Sequence, residues 1–180
     1  MALRATETAN LITTYLHMTD PSAFRPVYLD ETGGRSVMIM AMAGADVGFY
    51  RFLYNTVGEQ WRWHDRRLMS DDELRAILES PCTSVHVIYV DGIPAGYVEL
   101  SCDGDDTEIA YFGLRPQYIG KGLGKHLLSY GIARAWDTGA KRVWVHTCSL
   151  DGPHALSNYM KRGFQIYHIH EEPLPERYLS

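Results

Sequence analysis

Two apolar runs in the middle of the chain predict a β-hairpin. Residues 84–90 and 93–101 are rich in Val, Ile and Tyr, and Asp91-Gly92 separates them. This dipeptide favours the positive backbone angles of a two-residue hairpin turn. A second polar turn at 103–106 leads into a third apolar run at 108–114, so three successive antiparallel strands are predicted.

An amphipathic helix is predicted at residues 121–137, and Gly139 is expected to end it. Its apolar positions recur every three or four residues and face inward; they are Leu123, Leu127, Leu128, Ile132 and Ala135. The other predicted elements are strands at 11–18, 35–42, 141–146 and 164–170 and helices at 46–55, 71–80 and 153–163.

The first two helices have identifiable starts. Asp46 is a capping residue, and the stripe predicted to face inward from its helix is Phe49, Phe52, Leu53 and Val57. Ser70 and Glu73 form a capping box for the second helix, which ends before Pro81. Residues 58–65 are rich in aromatic side chains but show neither the helical nor the strand period of apolar positions. Residues 173–175 are expected to be a tail.

A glycine-rich loop connects the third apolar run to the helix at 121–137. Arg115-Pro116 stops the strand, because proline donates no hydrogen bond to a ladder. Gly120, Gly122 and Gly124 then precede the helix. Unpaired amides at a helix N-terminus bind anions, most often phosphate.

Two common phosphate-binding loops do not match these residues. The P-loop requires Ser or Thr after its Lys, but His126 follows Lys125 here, and Ile119 stands where its first glycine belongs. The dinucleotide fingerprint requires glycine at 125 or 127, and Leu127 occupies the second of these positions.

The loop instead resembles the pyrophosphate loop of the GNAT acetyltransferases, usually written [QR]-x-x-G-x-[GA]. One register places Gln117, Gly120 and Gly122 on that motif, and the other places Ile119, Gly122 and Gly124 there. The segment 158–164, NYMKRGF, matches the family ending Y-x-K-x-G-F. The resemblance is specific over about residues 85–170.

The resemblance implies a mixed α/β chain with the GNAT fold. We expect a mostly antiparallel twisted sheet of six or seven strands, with a splayed parallel pair and about four flanking helices. Residues 1–180 are expected to form a single N-acetyltransferase domain, with the N-terminal helices on the acceptor side.

The family also implies acetyl-CoA as co-substrate. Strand residues 112–114 correspond to the positions that pair with the pantetheine, and the loop to the pyrophosphate site. Gly113 within a strand indicates a bulge or a close backbone approach. The expected acetyl-CoA residues are Phe112, Gly113, Leu114, Ile119, Gly120, Lys121, Gly122, Leu123, Gly124, Lys125 and Asn158. Gly152 stands where the family often has Asn, and Asn158 or Ser149 can replace that contact.

Two catalytic residues are expected. Tyr159 matches the family tyrosine that lies near the thioester sulfur, where a phenol can protonate the leaving thiolate. Glu108 opens the strand that leads to the loop, where some members keep a glutamate that takes the amine proton. Glu99, His146 and water remain alternatives for that base.

The acceptor pocket is expected under the first helices. The resemblance places Tyr50, Tyr54, Trp61, Trp63, His64 and Asp65 near the substrate. Aromatic rings with an acid suit a cationic amine, although such rings also form packed cores. Nearby arginines can pair with an acceptor carboxylate, which would fit an amino-acid-like acceptor; they are Arg51, Arg62, Arg66 and Arg67.

Composition and charge narrow the remaining classes. The chain is 46% hydrophobic and 22% charged, with a net charge of −5. This balance gives no footprint for nucleic acid or a membrane. Cys82, Cys102 and Cys148 lack any CxxC pair and are expected to be reduced. Scattered histidines indicate no metal site, and a cytoplasmic location is predicted.

The predicted function is acetyl-CoA-dependent N-acetylation of a primary amine on a small molecule by direct attack. No covalent enzyme intermediate is needed, because two bound substrates are already oriented. A protein or peptide N-acetyltransferase and a non-catalytic acyl-CoA-binding module are the alternatives. A homodimer is left open.

Overall fold

A computed structural model describes residues 10–30 and 33–178. All its strands belong to one mixed sheet in the order β2-β3-β4-β5-β6-β1-β7. The strands are β1 Asn10–Met18, β2 Val37–Ala41, β3 Thr83–Val90, β4 Ile93–Asp103, β5 Asp106–Leu114, β6 Arg142–Cys148 and β7 Gln165–Pro173. The helices are α1 Val47–Gly58, α2 Asp65–Leu68, α3 Asp71–Glu79, α4 Leu123–Asp137 and α5 Ala155–Lys161.

The predicted strand pairing of the central sheet is confirmed. β3, β4 and β5 are antiparallel neighbours, and Asp91 and Gly92 both have positive φ (53° and 79°), as a two-residue hairpin turn of this twist requires. β5 and β6 run parallel, but they pair only from Asp106 to Glu108. The two strands separate after Glu108, which gives the expected splayed pair.

Strand β1 lies between β6 and β7 and is antiparallel to both. Tyr15 pairs with His146 on one side and with His168 on the other. The sequence predicted the strand but not its position in the sheet. Its place separates the strands that flank α5.

Helices cover both faces of the sheet. The inward side of α4 packs on a core that includes Val98 and Ile109, as predicted. On the other face, α1 and α3 pack on a second core around Leu53 and Leu74. Among the described residues, no helix is both long and apolar enough to cross a membrane.

The stripe predicted for α1 is partly wrong. Leu53 and Val57 are buried, but Phe52 is 39% exposed, and Tyr50 and Tyr54 are buried instead. Both tyrosine hydroxyls have partners inside: Tyr50 donates to Glu99, and Tyr54 accepts from the Arg66 amide. A buried partner makes a tyrosine as suitable for a core as a phenylalanine.

The expectation of three reduced cysteines is also wrong. Cys82 and Cys102 form a disulfide, and Cys148 is free. The Cys102 amide donates to the Cys82 carbonyl, so the bridge extends the β3–β4 ladder by one rung. The adjacency arises from strand register, which Cys spacing alone does not reveal.

The predicted tail at 173–175 is mostly ordered structure. β7 continues through Pro173, and a turn of 3₁₀ helix follows at Glu176–Tyr178. Pro173 is tolerated because β7 is an edge strand. Two residues of this segment, Glu172 and Tyr178, line the cleft that opens where β5 and β6 separate.

Candidate active site

A continuous cleft of about 1050 Å³ opens where β5 and β6 separate. We call its two ends the glycine half and the aromatic half. The glycine half is lined by Phe112, Gly113, Leu114, Ile119, Gly120, Gly122, Gly124, Lys125, Asn158 and Tyr159. The aromatic half is lined by Leu11, Thr13, Tyr15, Tyr54, Trp61, Arg62, Trp63, His64, Asp65, Arg66, Glu108, Tyr111, His146, Glu172, Arg177 and Tyr178.

The N-terminus of α4 forms one wall of the glycine half. Gly120 and Gly122 have φ of 82° and 78°, and Gly122 is the capping residue. No side chain of the described residues caps this end, and the first helical bond is the one from the His126 amide to the Gly122 carbonyl, at 3.4 Å. The amides before His126 therefore remain available to an anion.

The opposite wall is the splayed part of β5. The register with β4 shifts between Glu99 and Leu100, so the bulge in β5 lies at Ala110 rather than at Gly113. Gly113 is instead a close approach, because a Cβ there would overlap Val57. Beyond Glu108 the β5 backbone has no partner in β6, and its edge faces the cleft.

Tyr159 lies on α5 between these walls. Its side chain is only 7% exposed, and its ring makes edge contacts with Phe112 and Phe164 at 6.3 and 6.1 Å. Burial raises the pKa of the Tyr159 phenol, so the hydroxyl keeps its proton. Asn158, the preceding residue, is exposed at the same opening.

Two residues of the predicted set lie outside the cleft. Lys121 donates to the Gln117 carbonyl at 2.8 Å, with its ammonium over the Tyr118 ring. Leu123 is 4% exposed and packs in the core beneath α4. Both belong to the loop, but their side chains do not line the site.

Glu108 and His146 meet where the parallel pairing of β5 and β6 ends. His146 Nδ1 lies 3.2 Å from Glu108 Oε1, and the two side chains are 45% and 22% exposed. The hydrogen bond to Glu108 is the main cause that raises the pKa of His146. A carboxylate and an imidazole thus share one position of the cleft.

Glu99, the weaker alternative for the base, does not line the cleft. It is fully buried, accepts from the Tyr50 hydroxyl and pairs with Arg66 Nη2 at 2.7 Å. Burial raises the pKa of Glu99, while Arg66 opposes that effect. Its contacts assign it to holding α1, α2 and β4 together.

Aromatic rings and carboxylates dominate the aromatic half. Tyr54, Trp63 and Tyr111 form a triangle with ring centres 5.2–5.3 Å apart. Asp65 and Glu172 also line it. Of the six residues that the resemblance placed near the substrate, only Tyr50, which is buried on the inner side of α1, lies outside the cleft.

The arginines near this half are held by the protein. Arg51 binds Asp71 and two backbone carbonyls, and Arg67 binds Asn55, both outside the cleft. Arg66 is paired with Glu99, and Arg62 donates to the Tyr178 carbonyl at 2.6 Å. These four arginines were predicted to pair with a carboxylate of the acceptor, but each already has a partner within the protein.

Sequence reasoning missed two contributors to the aromatic half. One is β1, through Leu11, Thr13 and Tyr15, and the other is the turn that carries Tyr178. Neither segment carries a local signal of function, because each reaches the cleft only through sheet order. Aromatic content at Tyr15 and Tyr178 was the single available hint.

The turn between β6 and α5 departs from the family pattern in a defined way. Asp151 accepts from the Thr147 hydroxyl and the Cys148 amide at 2.6 and 2.9 Å, which closes the turn. Gly152 lies against Trp61, and Ser149 accepts from the Ile12 amide of β1. Ser149 is therefore occupied, and Asn158 remains the polar side chain at that opening.

No group of three or more His, Cys, Asp or Glu side chains within residues 10–30 and 33–178 is arranged to hold a metal ion. Burial raises the pKa of the Cys148 thiol, and Asp151 adds to this effect. A raised pKa disfavours the thiolate that a nucleophilic cysteine needs.

A sequence model of the acetyltransferase (GNAT) family matches residues 50–164, more than half of the chain. No curated protein sequence matches significantly.

Solved structures share the fold at low identity. A GCN5-related N-acetyltransferase from Kribbella flavida is 18% identical with a TM-score of 0.61, over 86% of this chain and 54% of that one. An aminoglycoside acetyltransferase from an uncultured soil metagenomic sample, solved with trehalose, is 16% identical (TM-score 0.59; 70% and 86% covered). PaiA N-acetyltransferase from Thermoplasma acidophilum, solved with coenzyme A, is 17% identical (TM-score 0.54; 77% and 99% covered). The chain thus spans about half the length of the first of these.

Proposed function

Because the chain belongs to the GNAT family of acetyltransferases, we propose that it transfers an acetyl group from acetyl-CoA to a primary amine of a small molecule. The observation that carries this proposal is the continuous cleft that joins the uncapped N-terminus of α4 to an aromatic pocket with several carboxylates. Glu108 and His146 lie within that same cleft.

The glycine half fits acetyl-CoA. The uncapped amides at the start of α4 suit its pyrophosphate, and the unpaired edge of β5 from Ile109 to Leu114 suits the amides of its pantetheine arm. Asn158 and Lys125 offer polar side chains at the same opening. When bound, acetyl-CoA supplies the activated acetyl group as a thioester.

The residues of the chain divide the proton transfers between them. Tyr159 keeps its proton at neutral pH and can give it to the departing sulfur. The Glu108–His146 pair accepts the proton of the amine. Cys148 carries no acyl group in this proposal, because its thiol is disfavoured as a nucleophile.

The aromatic half favours a cationic acceptor. Asp65, Glu108 and Glu172 line it. Arg62 and Arg66 are committed to protein partners, and Arg177 of the same half interacts with the charges of Asp65 and Glu172. Faces of Trp and Tyr attract ammonium groups. An ammonium on a ring-bearing or multiply charged small molecule is thus the expected substrate class.

The proposal is tested by incubation of the protein with acetyl-CoA and a panel of amines, such as tyramine, spermidine, lysine and kanamycin. We expect coenzyme A release that depends on the amine, with an amide product by mass spectrometry. Acetyl-CoA binding without release for any amine would indicate a binding module. Acetylation confined to peptides would indicate a protein acetyltransferase.

Tyr159→Phe provides the second arm of this test. We expect kcat to fall by about 10²-fold, because a general acid typically contributes at least that much, with acetyl-CoA affinity unchanged. Tyr130→Phe is the matched control, since the Tyr130 hydroxyl lies near His86 and not in the cleft. Equal kcat in the two variants would remove Tyr159 from the mechanism.

A further inference from the structure

The position of His146 follows from the point at which the sheet splays. Glu108 is the last residue of β5 that pairs with β6, opposite Trp144. His146 is two residues beyond Trp144, so its side chain lies on the same face of β6, where the gap between the strands begins. Its ring centre is 6.1 Å from Trp144 and 5.8 Å from Tyr15 of β1, and these rings fix its orientation.

We propose that His146 is the catalytic residue that removes the amine proton, and that Glu108 is a positioning residue that acts through it. This inference rests on the proposed function. The more exposed of the two side chains is the imidazole, at 45% against 22%, and both line the aromatic half. The imidazole is thus the member of the pair that a bound amine reaches more easily.

The contact with Glu108 determines which nitrogen of His146 is basic. Nδ1 lies 3.2 Å from Oε1, so a neutral imidazole carries its proton on Nδ1 and donates it to the carboxylate. The lone pair is then on Nε2. A carboxylate behind a histidine holds one tautomer and stabilises the imidazolium that forms.

Carboxylates from three elements surround the imidazole. Glu108 on β5, Asp151 in the turn before α5 and Asp65 on α2 all raise the pKa of His146, while burial lowers it. From β1 the Tyr15 ring faces it, and His168 of β7 lies behind that ring, 5.5 Å from Tyr15. The three charges that shift the pKa of His146 are negative and outweigh burial, which makes the imidazole a stronger base than a free one.

The acceptor nitrogen loses two protons in separate steps, and Tyr159 supplies one proton to the sulfur. An ammonium acceptor gives its first proton to Nε2 of His146, which passes it to solvent. The free amine attacks the thioester carbon, the C–N bond forms and the C–S bond breaks, and Tyr159 protonates the sulfur. The second proton leaves the new amide nitrogen through Nε2 or water, and Tyr159 regains a proton from solvent.

The pH dependence of kcat/KM distinguishes the two residues, measured with the panel amine of highest turnover. We expect His146→Gln to lower kcat/KM by about 10²-fold and to abolish the acidic limb. Glu108→Gln keeps an acceptor for Nδ1–H but removes the charge that raises the pKa of His146. Its acidic limb should therefore persist and move to lower pH. Loss of the limb in Glu108→Gln with retention in His146→Gln would make Glu108 the base.

An NMR measurement tests the pairing of His146 with Glu108 independently of an identified acceptor. NMR titration of the His146 ring should show a pKa above that of free histidine in the native protein and a lower one in Glu108→Gln. An unchanged titration would overturn the pairing whether or not any amine is acetylated. His168→Gln, on the same sheet face but outside the cleft, is the control and should leave activity unchanged.

Rescue of a variant by added imidazole distinguishes a catalytic role of His146 from a structural one. His146→Ala leaves space on an exposed position, so added imidazole should restore part of the lost rate if the ring acts as a base. A purely structural role would not respond to imidazole. Absence of rescue combined with an unshifted pH profile would contradict the proposal.

Discussion

The two halves of the cleft are built from different parts of the chain and by different chemistry. The glycine half comes mainly from one continuous segment, residues 112–125, and presents backbone amides and carbonyls. The aromatic half collects side chains from β1, α1, residues 61–64, α2, β5, β6, β7 and the turn at Glu176–Tyr178. A site made of backbone needs only local signals, whereas a site made of side chains needs the whole fold.

The comparison explains why acetyl-CoA is easier to assign than the acceptor. Backbone groups are the same in every sequence, so glycines and a strand–helix junction suffice to identify the first half. In the second half, the identity and charge of each side chain determine which acceptor the proposed site would bind. The variants below test whether the halves are as separate as their construction implies.

The largest effect is expected from Arg66→Met, which removes an arginine of the aromatic half that pairs with the buried carboxylate of Glu99. Loss of one member of such a pair costs about 3–5 kcal/mol of unfolding free energy. Glu99 is fully buried, so its charge is left without a cation and keeps only the hydrogen bond from the Tyr50 hydroxyl. Chemical denaturation measures the loss, and acetyl-CoA affinity should be kept in the folded fraction if the halves are independent.

The same variant has a defined pH dependence. Burial raises the pKa of Glu99, and loss of Arg66 removes the main opposing effect. In the variant, the carboxyl of Glu99 therefore binds a proton more tightly in the folded state than in the unfolded chain. Stability should then fall with rising pH, with a smaller deficit at about pH 5 than at about pH 8. Arg67→Met is the matched control, since Arg67 makes only an exposed bond to Asn55. Equal losses in both variants would contradict this assignment.

Gly122→Val should have an intermediate effect, confined to the glycine half. Gly122 has φ of 78°, and an added Cβ would lie 3.2 Å from Leu29. Strain of this kind costs about 1–3 kcal/mol, and relief by loop movement would weaken acetyl-CoA binding by about 5- to 150-fold. Calorimetric titration with acetyl-CoA measures the change.

Gly139→Val is the control for Gly122→Val. Gly139 has φ of 83°, so the backbone strain is similar, but it lies just beyond the far end of α4, and an added Cβ would meet no atom within 4 Å. This variant should lose stability and keep its acetyl-CoA affinity. Normal affinity in Gly122→Val would refute the loop assignment.

The smallest effect is expected from Arg62→Ala, which frees the turn that carries Tyr178. Their hydrogen bond is exposed, and such bonds contribute about 0.5–1.5 kcal/mol. The acceptor KM should rise by about 2- to 10-fold, with the acetyl-CoA KM unchanged, and Arg62→Lys should recover part of the loss. A rise in both constants would show that the halves are coupled.

Most elements of the fold were predictable because their signals are local. The Asp91-Gly92 turn, the Ser70 capping box and the buried stripe of α4 each depend on neighbours along the chain. The splay of β5 from β6 was predicted as well, through the family resemblance.

The errors share one physical cause, which is contact between distant residues. The Cys82–Cys102 bridge depends on strand register, and the burial of Tyr50 depends on Glu99 across the core. Phe52 is exposed because Tyr50 and Tyr54 occupy the buried side of α1 in its place. Chain pattern alone contains none of these pairings, and the same limit applies to the aromatic half.

The position of β1 has a consequence for synthesis on the ribosome. Asn10 bonds Glu171, 161 residues later, and both neighbours of β1, the strands β6 and β7, follow β2 to β5 in the chain. β1 therefore leaves the exit tunnel before both of its partners, and its edges are unpaired while the central hairpins form. Unpaired strand edges in a nascent chain promote aggregation, which chaperones counteract. Stalled translation before residue 142 would leave the sheet open at the edge where the aromatic half later closes.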